Sequence, residues 1–298
     1  MPFALLRAMR PKQWIKNLII AGPIIFSLNL FDIDKLLWVG VAIGLFSLAA
    51  SSVYLINDIA DIEKDRLHPT KKNRPLASGA LPVPVGIVAA IILSLGSIAV
   101  SFSLNIPFAV VLTLYLISNL AYSFVLKHVV ILDAMFLALG FVFRVLAGSY
   151  IIAVPASEWI IMCTFLLALF LGFAKRRHEL VLLTGSAENH RKVLEHYSPY
   201  FLDQMIMIVT AATVMSYALY TVSPHTVEQF GTNHLIYTIP FVLYGIFRYL
   251  YLVHQKESGG NPTKVFLTDK PILIDVVLWM VVVVLMIYSD RLIALLGA

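Results

Sequence analysis

A single cysteine among 298 residues, Cys163, rules out a disulfide framework, and its place inside an apolar run reads as a small packing residue. Charge is scarce too: Asp, Glu, Lys and Arg supply 13% of the chain, against about 25% in soluble domains. That shortage excludes an ordinary solvated surface. The eight histidines show no metal-ligand spacing, and His178-Glu179 is no zinc-protease motif because position 182 is Leu. What is abundant is apolar: 60% of residues are hydrophobic and the mean hydropathy is +0.87. The formal net charge of +5 is distributed between apolar runs, so it signals membrane topology and not nucleic acid.

Nine apolar segments stand out, near 14–31, 36–57, 84–104, 106–126, 129–152, 157–174, 204–223, 235–254 and 272–290. Most approach the ~20 residues that a helix needs to cross a bilayer. The first resembles a signal peptide in its basic lead. It continues past Gly22 and Pro23 to Phe31 with no small-residue cleavage site, so it reads as a retained helix. With the N-terminus inside, every Lys and Arg except Lys35, Arg144 and Arg291 falls on the inner connections or toward the inner ends of the segments, Arg191 and Lys192 among them. The long connections, 58–83, 175–203 and 255–271, are inner as well. The expectation is an all-α polytopic membrane protein of nine transmembrane helices. Residues 1–298 form one catalytic domain, with the N-terminus and the chemistry on the cytoplasmic side.

The stretch INDIADIEKDRLHPTKKNRPLASG, residues 56–79, breaks the pattern. If the second helix runs on through residue 65, Asn57, Asp61 and Asp65 repeat every four residues and Asp58 joins Asp61 at i+3. All four then share one face, while Glu63 points elsewhere. Oxygen donors without His or Cys suit a hard cation. Mg²⁺ in particular is held by a few carboxylates together with substrate phosphates. The plainer alternative is a helix end emerging into water, where like charges cost a few tenths of a kcal/mol. It explains one or two acids better than four polar ligands that begin inside an apolar run.

NDIADIEKD, from Asn57 to Asp65, resembles the first Asp-rich motif of the UbiA-type prenyltransferase superfamily, and KNRPLASG, from Lys72 to Gly79, fits the same pattern. The resemblance extends over essentially the whole chain. It implies a helical bundle in which Asn57, Asp58, Asp61 and Asp65 hold Mg²⁺ and the diphosphate of a substrate. Typical prenyltransferases of the superfamily carry a second Asp-x-x-x-Asp motif after the sixth helix. This chain has AKRRHEL there, Ala174 to Leu180, a poor metal site and a good phosphate cradle. It could equally be a topology anchor of inside positives.

RPKQWIKN (Arg10 to Asn17), YSFVLK (Tyr122 to Lys127), Asp133, GFVFRVLAG (Gly140 to Gly148) and Lys175-Arg176-x-x-Glu179 together resemble the decaprenyl-phosphate phosphoribosyltransferase branch. PTKVFLTDK, Pro262 to Lys270, fits it too. That branch joins phosphoribosyl diphosphate to a polyprenyl phosphate and releases diphosphate, making a precursor for cell-wall arabinan. By this resemblance, Asp58, Asp61 and Lys175 serve catalysis, and Lys16, Asn57, Asp65, Lys72, Arg74, Tyr122, Lys127, Arg176 and Glu179 bind substrate. Asp133, Arg144 and Asp269 join the binding set with plainer alternatives open. Asp133 fits an N-terminal helix acid, Arg144 an internal structural pair, and Asp269 a cap to the last helix. A lipid phosphate is already anionic, so no strong general base is needed, and none is evident. The competing readings are a prenyltransferase with an aromatic or other polar acceptor, and a transporter. The latter fits poorly because the acids gather at one membrane face.

Overall fold

The computed structural model describes residues 1–182, 192–256, 260, 262–289 and 291; the predicted inner residue Arg191 lies outside that range. The chain is all-helical among the described residues, and it separates into two compact units. One comprises residues 1–24 and 30–156, the other residues 25–29 and 157–298. Eight helices among the described residues are long and apolar enough to cross a bilayer. The protein is therefore a polytopic membrane protein.

In the first unit, α1 (Pro2–Ala8) leads into a 3₁₀ helix, Pro11–Ala21, and α2 (Gly22–Phe26), whose last two residues count with the second unit, follows. The first apolar segment is thus not one long α-helix. Pro11, Gly22 and Pro23 punctuate it, and proline withholds the backbone N–H that a continuous helix needs. Then come α3 (Ile33–Ala60), α4 (Ile62–Leu67), α5 (Val83–Leu104), α6 (Ile106–Phe124) and α7 (Leu132–Ile151). Asp32 caps α3 by accepting from Lys35 N–H at 3.1 Å, and Asn105 caps α6 by accepting from Phe108 N–H at 2.9 Å.

Ser47, Ser51 and Ser52, with the alanines between them, let neighbouring backbone approach α3 closely, as small residues do between membrane helices. The 3₁₀ helix uses this seam. Trp14 Nε1 donates to Ser51 Oγ at 3.1 Å, and Asn17 Nδ2 donates to Ser47 Oγ at 2.9 Å. On its other side Gly148 of α7 lies so close that an added Cβ would collide with the Ile20 carbonyl oxygen.

The second unit holds α8 (Glu158–Leu182), α9 (Pro199–Val222), α10 (Pro224–Phe230), α11 (Ile239–Gln255), α12 (Pro262–Thr268) and α13 (Lys270–Ile287). Helix α8 runs eight residues past the predicted end at 174, because Ala174 to Leu182 contains good helix formers and neither Gly nor Pro. Its cations therefore sit on a helix and not in a loop. The core of this unit is aromatic. Phe170 meets Tyr249 edge-on at 5.5 Å, and the Tyr217 hydroxyl accepts from Trp279 Nε1 at 2.9 Å.

The close passage at Gly148 gives a paired test. Gly148→Ala should destabilise the protein by about 1–3 kcal/mol through overpacking against backbone. Gly96→Ala, in the open middle of α5, should be neutral or stabilising by up to ~1 kcal/mol. Thermal unfolding of both variants in detergent checks the contrast.

Candidate functional site

Helix α3 ends at Ala60 and Asp61 caps it, so the predicted unbroken helix through residue 65 is interrupted there. The turn spacing survives the break. Asp61 N–H donates to Asn57 O at 3.0 Å, and Asp65 N–H donates to Asp61 O at 2.8 Å. The acids remain successive, but their surroundings differ. Asp58 and Asp65 are buried, at 2% and 3% exposure, whereas the Asp61 side chain keeps 33%. Asn57 is half-buried.

The protein's own cations answer these acids. Arg74 Nη1 donates to Asp58 Oδ1 at 3.1 Å and to Asp65 Oδ2 at 2.5 Å, bridging the two. Arg10 Nη2 donates to the same Asp58 oxygen at 2.5 Å and lies 5.0 Å from the Tyr54 ring centre. Lys127 Nζ stands 3.6 Å from Asp61. The chain between α4 and α5 is built to deliver Arg74. Leu76 and Leu81, 1% and 0% exposed, pack into a cluster with Ala8, Leu55 and Ala90, and Gly86 leaves room for Leu76. Lys72, two residues before Arg74, stays exposed.

Arg144 is buried elsewhere in the same unit. Its Nε donates to Asn17 Oδ1 at 2.7 Å, Nη1 to Gly140 O at 2.7 Å and Nη2 to the Tyr115 hydroxyl at 3.1 Å. All three acceptors are neutral, and the Tyr115 and Phe141 rings lie against the guanidinium. This is the internal structural arrangement, with Asn17 in place of a carboxylate. Asp133 is fully buried in the first turn of α7, while Lys16 and Tyr122 are half-buried.

In the second unit, Arg176 is fully buried and donates from Nη1 to Glu179 Oε2 at 2.7 Å. Lys175 Nζ stands 3.7 Å from Glu179 Oε1, so one carboxylate organises both cations along one turn of α8. Asp269 caps α13 by accepting from Ile272 N–H at 3.0 Å, and it forms a two-point pair with Arg248 through Nη2 at 2.9 Å and Nε at 3.3 Å. Its carboxyl is held below the ordinary 3.8, by the Arg248 hydrogen bond first, against the upward push of burial.

The sequence profile of the UbiA prenyltransferase family matches residues 18–270. The chain belongs to the UbiA prenyltransferase family. The decaprenyl-phosphate phosphoribosyltransferase of Corynebacterium glutamicum is 34% identical to this UbiA-family chain over 290 residues, covering 95% of it and 86% of the relative. The Mycobacterium tuberculosis protein of the same name is 32% identical over 281 residues, covering 93% and 92%. A solved UbiA homologue from Archaeoglobus fulgidus bound to DMAPP and Mg²⁺ superposes with a TM-score of 0.71 at 19% identity, covering 95% of this chain and 98% of that one. At such identity the likeness shows the fold.

The donor set of this UbiA-family chain fits Mg²⁺ in chemistry: carboxylates and one amide, no thiolate or imidazole. Among the described residues no three His, Cys, Asp or Glu side chains converge to hold a metal. The fit is therefore to an ion that takes one or two carboxylates and completes its shell with phosphate oxygens and water, as Mg²⁺ commonly does. Asp61, the most exposed of the acids, is the first candidate ligand.

The prediction from sequence had missed Arg10. Its backbone is left-handed, φ 55° and ψ 61°, a conformation uncommon outside glycine. The signal was there in RPKQW, but a basic residue before a membrane segment reads equally as a topology charge.

Arg74→Ala should cost about 1–3 kcal/mol, since it takes the cation from buried Asp65 and leaves buried Asp58 with Arg10 alone. Arg66→Ala, which removes the exposed pair with Glu63 and a long 3.4 Å hydrogen bond to Ala77 O, should cost only about 0.5 kcal/mol. Unfolding of the two variants side by side checks this. The depressed Asp269 adds stability that is complete above about pH 4 and lost as pH falls through its folded-state value. The stability gap between the wild type and Asp269→Asn should accordingly hold steady near neutrality and shrink only in acid.

Proposed function

We propose that this UbiA-family transferase moves phosphoribose from 5-phosphoribosyl 1-diphosphate to a polyprenyl phosphate such as decaprenyl phosphate, releasing diphosphate. We place the reaction at the cytoplasmic membrane face, with residues 1–298 acting as one catalytic domain. The observation that carries the reading is the α8 end. Where a second Asp-rich motif would serve another metal, the α8 end carries partly exposed Lys175 with Glu179 and the buried guanidinium of Arg176 behind it, a net positive end suited to phosphate and not to a second cation. Likeness to two decaprenyl-phosphate phosphoribosyltransferases over nearly the whole chain supports the same choice.

In this reading the leaving diphosphate lies against Asn57, Asp58, Asp61 and Asp65. Mg²⁺, when bound there, neutralises the charge that builds on the departing group. Arg74 and Arg10 exchange the buried carboxylates for phosphate oxygens as the substrate arrives. Lys127 and Lys16, with Lys72 at the loop edge, add positive charge around the same anion. Lys175 and Arg176 hold the sugar and lipid phosphates, and Glu179 keeps both cations aimed. The acceptor oxygen attacks the anomeric carbon opposite the diphosphate. The C1–O bond to diphosphate breaks, and its electron pair leaves with the diphosphate. No proton has to be removed from the acceptor, so no general base is assigned. Tyr122 and Asp133 complete the substrate-binding set, and Arg144 and Asp269, engaged with Asn17, Tyr115 and Arg248, line its edge.

The solved Archaeoglobus fulgidus homologue is bound to GPP or DMAPP with Mg²⁺, and the same acidic motif would serve a prenyltransferase. One assay separates the two. Purified protein with Mg²⁺ is given labelled phosphoribosyl diphosphate with polyprenyl phosphate, and separately a labelled prenyl diphosphate with an aromatic acid. The expected product is labelled lipid from the first mixture, lost at least a hundredfold in Asp61→Asn and Lys175→Ala. Label appearing only in the aromatic product would overturn the proposal.

A further inference from the structure

Tyr54 stands on the acidic face of α3 and takes no part in the reaction as described so far. It precedes Asn57 by three residues and Asp58 by four, so the three share one side of the helix. Tyr54 lies one turn, about 6 Å, farther from the helix end than Asp58. Helical side chains lean toward the N-terminus, which carries the phenol away from the carboxylates and deeper into the unit.

Its ring is held at the acid site. The Arg10 guanidinium lies over it, 5.0 Å from the ring centre, and the same guanidinium donates to Asp58 Oδ1. On the deeper side Tyr54 is within electrostatic reach of Arg144 and Tyr115. Those two are bonded to each other and not to Tyr54. The phenol therefore sits at the junction of a charged site and a polar interior.

Among the described residues the Tyr54 hydroxyl makes no hydrogen bond. It is not sealed in either. The unpaired hydroxyls that are shut inside the protein belong to Ser149, Thr210 and Tyr220, whereas Tyr54 is half-buried. A phenol can donate one hydrogen bond and accept another, so this one is a ready partner for a ligand atom.

Which atom that is depends on the reaction proposed above, and this inference rests on that reading. With the diphosphate against Asn57, Asp58 and Asp61, the rest of the donor continues from one end of the acidic face. On the α4 side Arg74 occupies the face by bridging Asp58 and Asp65. On the other side the next residue along it is Tyr54. The donor atom nearest the leaving group that can form a hydrogen bond there is the hydroxyl beside the anomeric carbon.

We propose that Tyr54 is a specificity-determining residue of the donor site, its hydroxyl donating to the ribose 2-hydroxyl. A prenyl diphosphate has only hydrocarbon at that place and would leave the phenol unpaired. Tyr54 accordingly favours a sugar diphosphate over an isoprenoid one.

The test compares the wild type with Tyr54→Phe, which keeps the ring beneath Arg10 and deletes only the hydroxyl. Both are assayed as purified full-length protein with Mg²⁺. The kcat/KM for phosphoribosyl diphosphate, with polyprenyl phosphate saturating, should fall about three- to tenfold, as loss of one neutral hydrogen bond does. The inhibition constant of an analogue with fluorine in place of the 2-hydroxyl should agree between the two proteins within about twofold, because the contact is already missing. Retention of inorganic diphosphate should also be equal in the two. A merely structural phenol would weaken all three ligands alike, and that result would overturn the proposal, as would an unchanged kcat/KM. Should Tyr54→Phe fail to fold, the wild type decides: it should retain the fluorinated analogue about three- to tenfold more weakly than phosphoribosyl diphosphate, and equal retention would overturn the proposal. A wild type that makes no labelled lipid would contradict the reaction itself and the role of Tyr54 with it. A wild type that turns over no faster than Tyr54→Phe would sink this inference alone.

Discussion

Two buried carboxylates, Asp58 and Asp65, share one guanidinium nitrogen of Arg74, and the acidic face of the first unit depends on that bridge. Neither acid could stay charged at the end of an apolar helix without a cation at hand. The surrounding chain is arranged to supply one. The break at Asp61 lets α4 swing Asp65 alongside Asp58. Buried Leu76 and Leu81 pin the return loop, which brings Arg74 back to both acids. Arg10 reaches the same carboxylate oxygen from just before the 3₁₀ helix, at the cost of a left-handed backbone. Such pairs are easily re-partnered by an incoming anion, because each arginine can trade a carboxylate for a phosphate. Under the proposed function, this arrangement gives the diphosphate site balanced charge.

Arg144 shows the opposite solution to the same problem. It is a buried cation satisfied entirely by neutral acceptors, and its bonds to Asn17 and Tyr115 join the 3₁₀ helix, α6 and α7. A charge near mid-helix costs about 2.5–3.5 kcal/mol on insertion scales, so these hydrogen bonds and ring contacts have to offset it. Lys175 and Arg176 illustrate a third arrangement, two cations held in line by one acid on the same helix.

Much of the fold was legible because hydropathy over about 20 residues is a strong signal. Eight of the nine apolar segments correspond to long helices among the described residues. The first does not, since Pro11, Gly22 and Pro23 favour short helical pieces that a hydropathy average cannot see. The extension of α8 through the cations was missed for a related reason: leaving the membrane does not end a helix. At the site, Asn57, Asp58, Asp61 and Asp65 were legible from their spacing. Their partners were not. Arg10 is 48 residues from Asp58 in sequence, and only the fold brings them together. Tyr54 repeats the spacing of the acids one turn earlier, but its free hydroxyl is a property of packing that the sequence does not show.

The central claim is that the acidic face of α3 and α4 receives a diphosphate together with Mg²⁺. Equilibrium retention of radiolabelled diphosphate by the purified protein tests it most directly, with and without Mg²⁺, in the wild type and in Asp61→Asn. The account predicts retention that requires Mg²⁺ and falls at least tenfold in Asp61→Asn. Retention that is independent of Mg²⁺, or equal in the two proteins, would contradict it.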